Sequence, residues 1–169
     1  KLPYDPIKDF APITLVAGVP NVMVMNADKA RALNINTVPD FIKYARANPG
    51  KLNYASSGNG TSIHLAGELF KSMTGIFMTH IPYRGSGPLI TDLIGGQVMY
   101  SFETMTAATP HVKGGKVVAV AQTRPKRSKA YPNVPTLDEE GFPGFDATTW
   151  YGLAGPGKMS PSIVKRMNE

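Results

Sequence analysis

Apolar residues fall in short runs separated by glycine, proline and small polar residues. Residues 13–17 and 21–25 are the first two runs, and both read as buried strands. Gly18-Val19-Pro20 between them predicts a turn or a crossing point. Residues 1–12, rich in proline and aspartate, read as an irregular lead-in. Thr37 is placed to cap a helix with Pro39 and Asp40 in its first turn. Phe41, Tyr44 and Ala45 recur at helical spacing, and Asn48-Pro49-Gly50 ends that helix.

From Leu52 the pattern repeats as strand, loop and helix. Strands are predicted over 52–55, 77–82, 98–102 and 117–122. Ile63, Ala66, Leu69, Phe70 and Met73 share one face of the first intervening helix, which Gly75 closes. Pro88 starts a second helix over 87–94, stopped by Gly95-Gly96, and a third covers 106–113 and ends at Gly114-Gly115. Alternation of this kind predicts βαβ units and a mostly parallel sheet. After Gln122 the texture changes. The 124–135 stretch, basic and proline-rich, reads as an extended surface connection. Thr136 is expected to cap a short helix through Glu140, 148–154 reads as a strand, and Ser160-Pro161 opens a last helix.

The length, 169 residues, suggests one domain or slightly more. With 42% hydrophobic and 18% charged residues the chain is too apolar to be disordered. The absence of cysteine removes disulfide frameworks, thiolate zinc sites and thiol nucleophiles together. The formal charge of +6 slightly favours anionic solutes. No apolar stretch is long enough to cross a bilayer. The chain starts at Lys1 with no signal-peptide pattern, and neither end reads as a natural terminus.

The sharpest local signal is the loop Ser56-Ser57-Gly58-Asn59-Gly60-Thr61-Ser62, where a strand feeds directly into a helix. Free backbone N–H groups and the helix dipole suit such a junction to an anion, and Gly58 and Gly60 let a ligand approach closely. Ser56, Ser57, Thr61 and Ser62 add hydroxyl donors. On its own the stretch is equally an ordinary helix cap. It lacks the lysine of a P-loop and the third glycine of a dinucleotide fingerprint, so the expected anion is a carboxylate rather than a nucleotide phosphate.

Pro82-Tyr83-Arg84-Gly85-Ser86-Gly87-Pro88 is a second strand-to-helix loop. In it Arg84 can pair with an anion, Tyr83 can line a pocket and Ser86 can cap the helix, although an arginine in such a loop is more often a solvated charge. Successive βα loops share the C-terminal edge of a parallel sheet, so the two loops can face one cleft. Glu103 ends another strand at that edge, as ligand contact or structural acceptor, and Trp150 reads as packing or ligand contact. His64, His80 and His111 show no metal-ligand spacing and read as structural or surface residues. No nucleophile elbow is present. Arg124, Lys126, Arg127 and Lys129 lack aromatic interleaving, which argues against nucleic acid.

Several segments, taken in order, resemble the Bug receptors, the extracytoplasmic solute-binding proteins of tripartite tricarboxylate transporters. They are Leu2-Pro3-Tyr4-Asp5-Pro6, Lys8-Asp9-Phe10-Ala11-Pro12, the run from Leu52 to Ser62, His64-Leu65-Ala66-Gly67-Glu68-Leu69-Phe70, Pro82-Tyr83-Arg84-Gly85, Asp92-Leu93-Ile94-Gly95-Gly96-Gln97-Val98 and Asn133-Val134-Pro135-Thr136. The resemblance implies an α/β, periplasmic-binding-protein type II-like two-lobed fold with an interlobe cleft. This chain would hold one nearly complete lobe and parts of the other. Residues 1–20 are then part of lobe 1, 21–123 are lobe 2, and 124–169 return to lobe 1. Hinge crossings are expected near Gly18-Val19-Pro20 and Gln122-Thr123.

The resemblance further implies a periplasmic receptor, not an enzyme, with no cofactor and no metal. Its expected partners are a small organic acid (a di- or tricarboxylate, an acidic amino acid or an aromatic acid) and the membrane permease of the transporter. The expected ligand-binding residues are Ser56, Ser57, Gly58, Asn59, Gly60, Thr61, Ser62, Tyr83, Arg84, Gly85, Ser86 and Glu103. Many members carry Asp where this chain has Glu103, which bears on ligand choice. The alternatives are an α/β enzyme acting on a small acidic substrate, with Glu103 or a histidine as base, and a ligand-sensing or interaction domain.

Overall fold

A computed structural model describes residues 2–169; Lys1, the first residue of the expected lead-in, lies outside them. The elements are β1 (Phe10–Asn26), α1 (Ala27–Ala32), α2 (Val38–Ala47), β2 (Asn53–Ser56), α3 (Ser62–Thr74), β3 (Thr79–Pro82), α4 (Ser86–Ile94), β4 (Tyr100–Thr104), α5 (Met105–Lys113), β5 (Val117–Gln122), β6 (Thr148–Pro156) and α6 (Pro161–Asn168).

Val19–Thr149 form one compact unit. Its sheet has the order β3-β2-β4-β1-β5. β2 runs parallel to β3 and β4, whereas β1 runs antiparallel to β4 and β5. Four strands therefore point one way, as the alternation predicts, and β1 alone is reversed. Being central, β1 is apolar on both faces. Met23 and Met25 join Phe41, Tyr54, Phe70, Tyr100 and Phe102 in the core beneath α2 and α3. Val22 and Val24 join Leu89, Leu93, Val98 and Met105 in the core beneath α4 and α5.

Local signals set the helix limits. Thr37 accepts the Asp40 N–H at 3.2 Å while Asp40 accepts the Thr37 N–H at 3.1 Å, a reciprocal cap for α2. Thr61 caps α3, and Gly75 ends it in the left-handed conformation. α1 escapes the hydrophobic pattern because it is six residues long and buries only Ala27 and Ala30; Asn26 caps it.

Two further local expectations, a turn at 18–20 and a helix from Thr136 through Glu140, are corrected by the structure. The strand continues through Gly18-Val19-Pro20 without a turn. Pairing of β1 with β4 and β5 starts at Asn21 and Val22, so the missing N–H of Pro20 breaks neither ladder. Residues 124–149 belong to the Val19–Thr149 unit, because Gln122 bridges Thr136 and Phe145 and Leu137 enter its core. Thr136 and Glu139 form a capping pair at 3.0 and 3.1 Å, but only turns follow and no helix extends to Glu140.

The other compact unit comprises residues 2–18 and Trp150–Glu169. Within it Tyr4 packs edge-on to Phe10, and Asn168 Nδ2 donates to the Ile13 carbonyl at 2.7 Å. Leu2, Ile7, Leu15, Val16, Trp150, Tyr151 and Ile163 are exposed.

Candidate functional site

Because β2, β3, β4 and β5 are parallel, Ser56, Pro82, Thr104 and Gln122 end at one sheet edge. Helices α3, α4 and α5 start at that edge from Thr61, Gly85 and Thr104. Reversal of β1 brings Asn21 there too, opposite Thr104.

The 56–62 and 82–86 loops are stitched together by main-chain bonds. Tyr83 N–H donates to the Ser56 carbonyl at 2.8 Å, and Gly85 N–H to the Ser57 carbonyl at 3.2 Å. Gly85 adopts φ +106°, which strongly favours glycine, and this lets the chain turn into α4. At Gly58, with φ +138°, a side chain would also approach the Tyr83 carbonyl.

The hydroxyls of the first loop divide into two groups. Ser56 is fully buried, and its Oγ bonds the Gly58 carbonyl and N–H and lies 2.6 Å from His80 Nε2. Thr61 Oγ1 donates to the Gly58 carbonyl at 2.7 Å and accepts the His64 N–H. These two hold the loop's shape. Ser57 and Asn59 have side chains with no hydrogen-bond partner among the described residues. Ser62 and Ile63, at the first two positions of α3, have N–H groups that no helical carbonyl can reach.

The remaining expected residues are placed as follows. Tyr83 donates its hydroxyl to Asp92 at 2.8 Å, which braces α4. Burial, aided by that bond, pushes its pKa up to about 12. Arg84 is exposed and makes no ion pair among the described residues. Ser86 does not cap α4, whose cap position is Gly85; its hydroxyl donates to Glu103 Oε1 at 3.1 Å. Glu103 is fully buried, and its Oε2 has no partner among the described residues. Burial holds its pKa above the usual carboxylate range, partly offset by the Ser86 bond.

A second polar chain joins the edge. Thr149 Oγ1 donates to Asn21 Oδ1 at 2.8 Å, which leaves Ser62 to donate to Thr149 Oγ1 at 2.6 Å. Asn21 Nδ2 is buried without a partner among the described residues. Thr123 Oγ1, which donates to the Ala147 carbonyl at 2.6 Å, ties this segment back to β5. Asn21, Thr149 and Thr123 are not among the site residues expected from the sequence, which places Thr123 only at an expected hinge crossing. The only local signal was a polar residue at the head of the apolar 21–25 run. Among the described residues no three His, Asp or Glu side chains gather as a metal set, and no helix is long and apolar enough to cross a membrane. A surface depression of about 660 Å³ beside α2, lined by Pro39, Ile42 and Phe142, lies away from this edge and holds none of its polar groups.

An open α/β sheet covered by helices on both faces, with three helix N-termini at one edge, suits ligand binding at the strand ends. Its superposition on BugD, a periplasmic binding protein, at a TM-score of 0.88 and 32% identity places the fold in that class. Comparison with known proteins gives the family. A model of the tripartite tricarboxylate transporter family receptor matches residues 1–169, and the chain belongs to that family. BugT of Bordetella pertussis is 35% identical over 167 residues, which is 99% of this chain and 50% of BugT. Rpa4515 of R. palustris, solved with adipate, superposes with a TM-score of 0.90 at 36% identity, over 98% of this chain and 54% of that one. MatC of Rhodopseudomonas palustris, solved with bound malate, gives 0.89 at 30% identity, over 99% and 56%. The chain thus spans about half the length of the relatives it matches.

Proposed function

We propose that this chain supplies the ligand-capturing lobe of a periplasmic receptor for a tripartite tricarboxylate transporter. The receptor binds a small organic acid, by binding alone and without turnover, and delivers it to the membrane permease. A di- or tricarboxylate, an acidic amino acid or an aromatic acid fits the chemistry of the edge. The lobe is Val19–Thr149, while residues 1–18 and 150–169 are portions of the other lobe, so the chain passes between lobes at Gly18/Val19 and Thr149/Trp150.

The observation that carries this reading is the division of labour in the 56–62 loop. Ser56 and Thr61 are consumed in shaping it, which leaves Ser57, Asn59 and the first N–H groups of α3 as donors with no partner among the described residues. Donors fixed in advance bind an anion without the cost of ordering them. Arg84 adds a positive charge, and Ser86 is oriented by Glu103. The identity of the acids bound by Rpa4515 and MatC, adipate and malate, supports a dicarboxylate as the first class to test.

Thermal shift of the purified protein with adipate, malate, glutamate and benzoate tests the proposal. A ligand at a hundredfold excess over its Kd stabilises by about 2.7 kcal/mol. Ser57→Leu, at a half-exposed position with no side-chain bond to lose, should remove the shift while leaving the unliganded melting temperature near its original value. No shift with any acid, an undiminished shift in Ser57→Leu, or formation of a product would overturn it.

A further inference from the structure

Two histidines lie directly against the loop. His64, in the first turn of α3, stacks on His80 of β3 with ring centroids 4.1 Å apart and planes 14° from parallel. His80 also stacks on Tyr54 of β2 at 4.8 Å. Each imidazole holds one end of the loop. His80 Nε2 lies 2.6 Å from Ser56 Oγ, and His64 Nδ1 accepts the Gly60 N–H at 3.0 Å.

The second contact fixes a protonation state. A backbone N–H only donates, so Nδ1 of His64 carries no proton and the ring proton sits on Nε2, which faces Glu68 Oε1 at 4.0 Å. The titratable and charged groups around the pair are Tyr54 on β2 and Glu68 and Lys71 on α3. Glu68 is itself held by the Tyr54 hydroxyl and by Lys71 Nζ at 2.9 Å. Adding a proton to Nδ1 sets two N–H donors against each other at Gly60, and charging both rings places two cations in stacking contact.

We propose that His64 is a positioning residue for the 56–62 loop, and that its protonation releases Gly60, so the loop grips a carboxylate at neutral pH and loosens on mild acidification. The affinity half of this proposal rests on the reading of the loop as a carboxylate site. The latch itself does not. Burial and the neighbouring His64 hold the pKa of His80 below its usual value, which favours a neutral His80 ring.

NMR of the purified protein separates the two halves. At pH 8 the imidazole nitrogen signals of His64 should show Nδ1 as acceptor and Nε2 as the protonated nitrogen, and the Gly60 amide shift should follow the His64 titration as pH falls to 5. His64→Asn keeps an acceptor near the Nδ1 position without a titrating ring, and there the Gly60 amide should stay flat. The wild-type titration decides the latch even if that variant folds poorly. Binding of adipate should weaken in the wild type as pH falls from 8 to 5, beyond any loss in His64→Asn. The ligand's own titration is common to both proteins and cancels in the ratio. A proton on Nδ1 at pH 8, or a Gly60 amide indifferent to His64, overturns the latch. Equal pH dependence of binding in the two proteins overturns the coupling. Absence of binding of adipate, malate, glutamate and benzoate alike at any pH, with Gly60 still following His64, overturns the affinity half together with the carboxylate reading and supports the latch.

Discussion

Glu103 is the position where the fold and the proposed site pull hardest against each other. Its carboxyl is fully buried at the end of β4, receives one hydroxyl bond from Ser86 and leaves Oε2 unpartnered. No cation pairs with it among the described residues. Burial raises its folded pKa above the unfolded value, so the folded state holds this proton more tightly than the unfolded chain does. The stability associated with it is fully present below the ordinary glutamate pKa of about 4.3 and is lost as pH rises through the folded value. Glu103→Gln has almost the same shape, keeps an acceptor for Ser86 and cannot ionise. An unpartnered buried polar atom costs about 1–3 kcal/mol, more if charged, and the glutamine returns part of that through its own unpaired N–H₂. A net gain of about 1 kcal/mol at pH 7.5 is therefore expected, shrinking towards zero at pH 4, where Glu103 is already neutral. Urea unfolding at the two pH values measures both numbers. A Gln variant that is less stable at pH 7.5, or equally stabilised at pH 4, would refute the account of Glu103 as a stranded acid. A stabilised variant that also loses ligand affinity would mark Glu103 as a place where stability yields to binding.

Gly67 in α3 lies so close to the sheet that a Cβ there would overlap the Tyr54 ring. Alanine gains about 1 kcal/mol of helix propensity. Overpacking costs about 1–3 kcal/mol, and Tyr54 has little room to yield, with its hydroxyl on Glu68 and its ring on His80. Gly67→Ala should therefore lower the melting temperature, and an increase would show that the ring can move. Thr37→Ala removes the reciprocal cap of α2 and should cost about 1 kcal/mol by urea midpoint. Because α2 lies away from the strand ends, adipate affinity at fixed pH should be unchanged, and a change there would link α2 to the site.

What could be read from the chain alone follows the reach of each interaction. Helix caps such as Thr37 with Asp40 and Thr61 with His64 close within three residues, so spacing announces them. The strands of the Val19–Thr149 unit likewise show as apolar runs, and the family resemblance extends those readings to the class of fold. The edge chemistry is decided across far longer separations. Ser62 and Thr149 are 87 residues apart, Thr149 and Asn21 are 128 apart, and Ser86 reaches Glu103 across 17. A serine before a helix reads locally as its cap; only the arrival of Glu103 beside it turns the Ser86 hydroxyl away from α4.

The same reasoning sorts the loop's four hydroxyls, which look alike in sequence. His80, 24 residues beyond Ser56, helps to claim that hydroxyl, and Thr149 receives the proton of Ser62. Thr61 is held by its own helix. Ser57 is left over because no distant strand reaches it. Its selection as the donor to test therefore depends on the pairing of the whole sheet and not on the motif that drew attention to the loop.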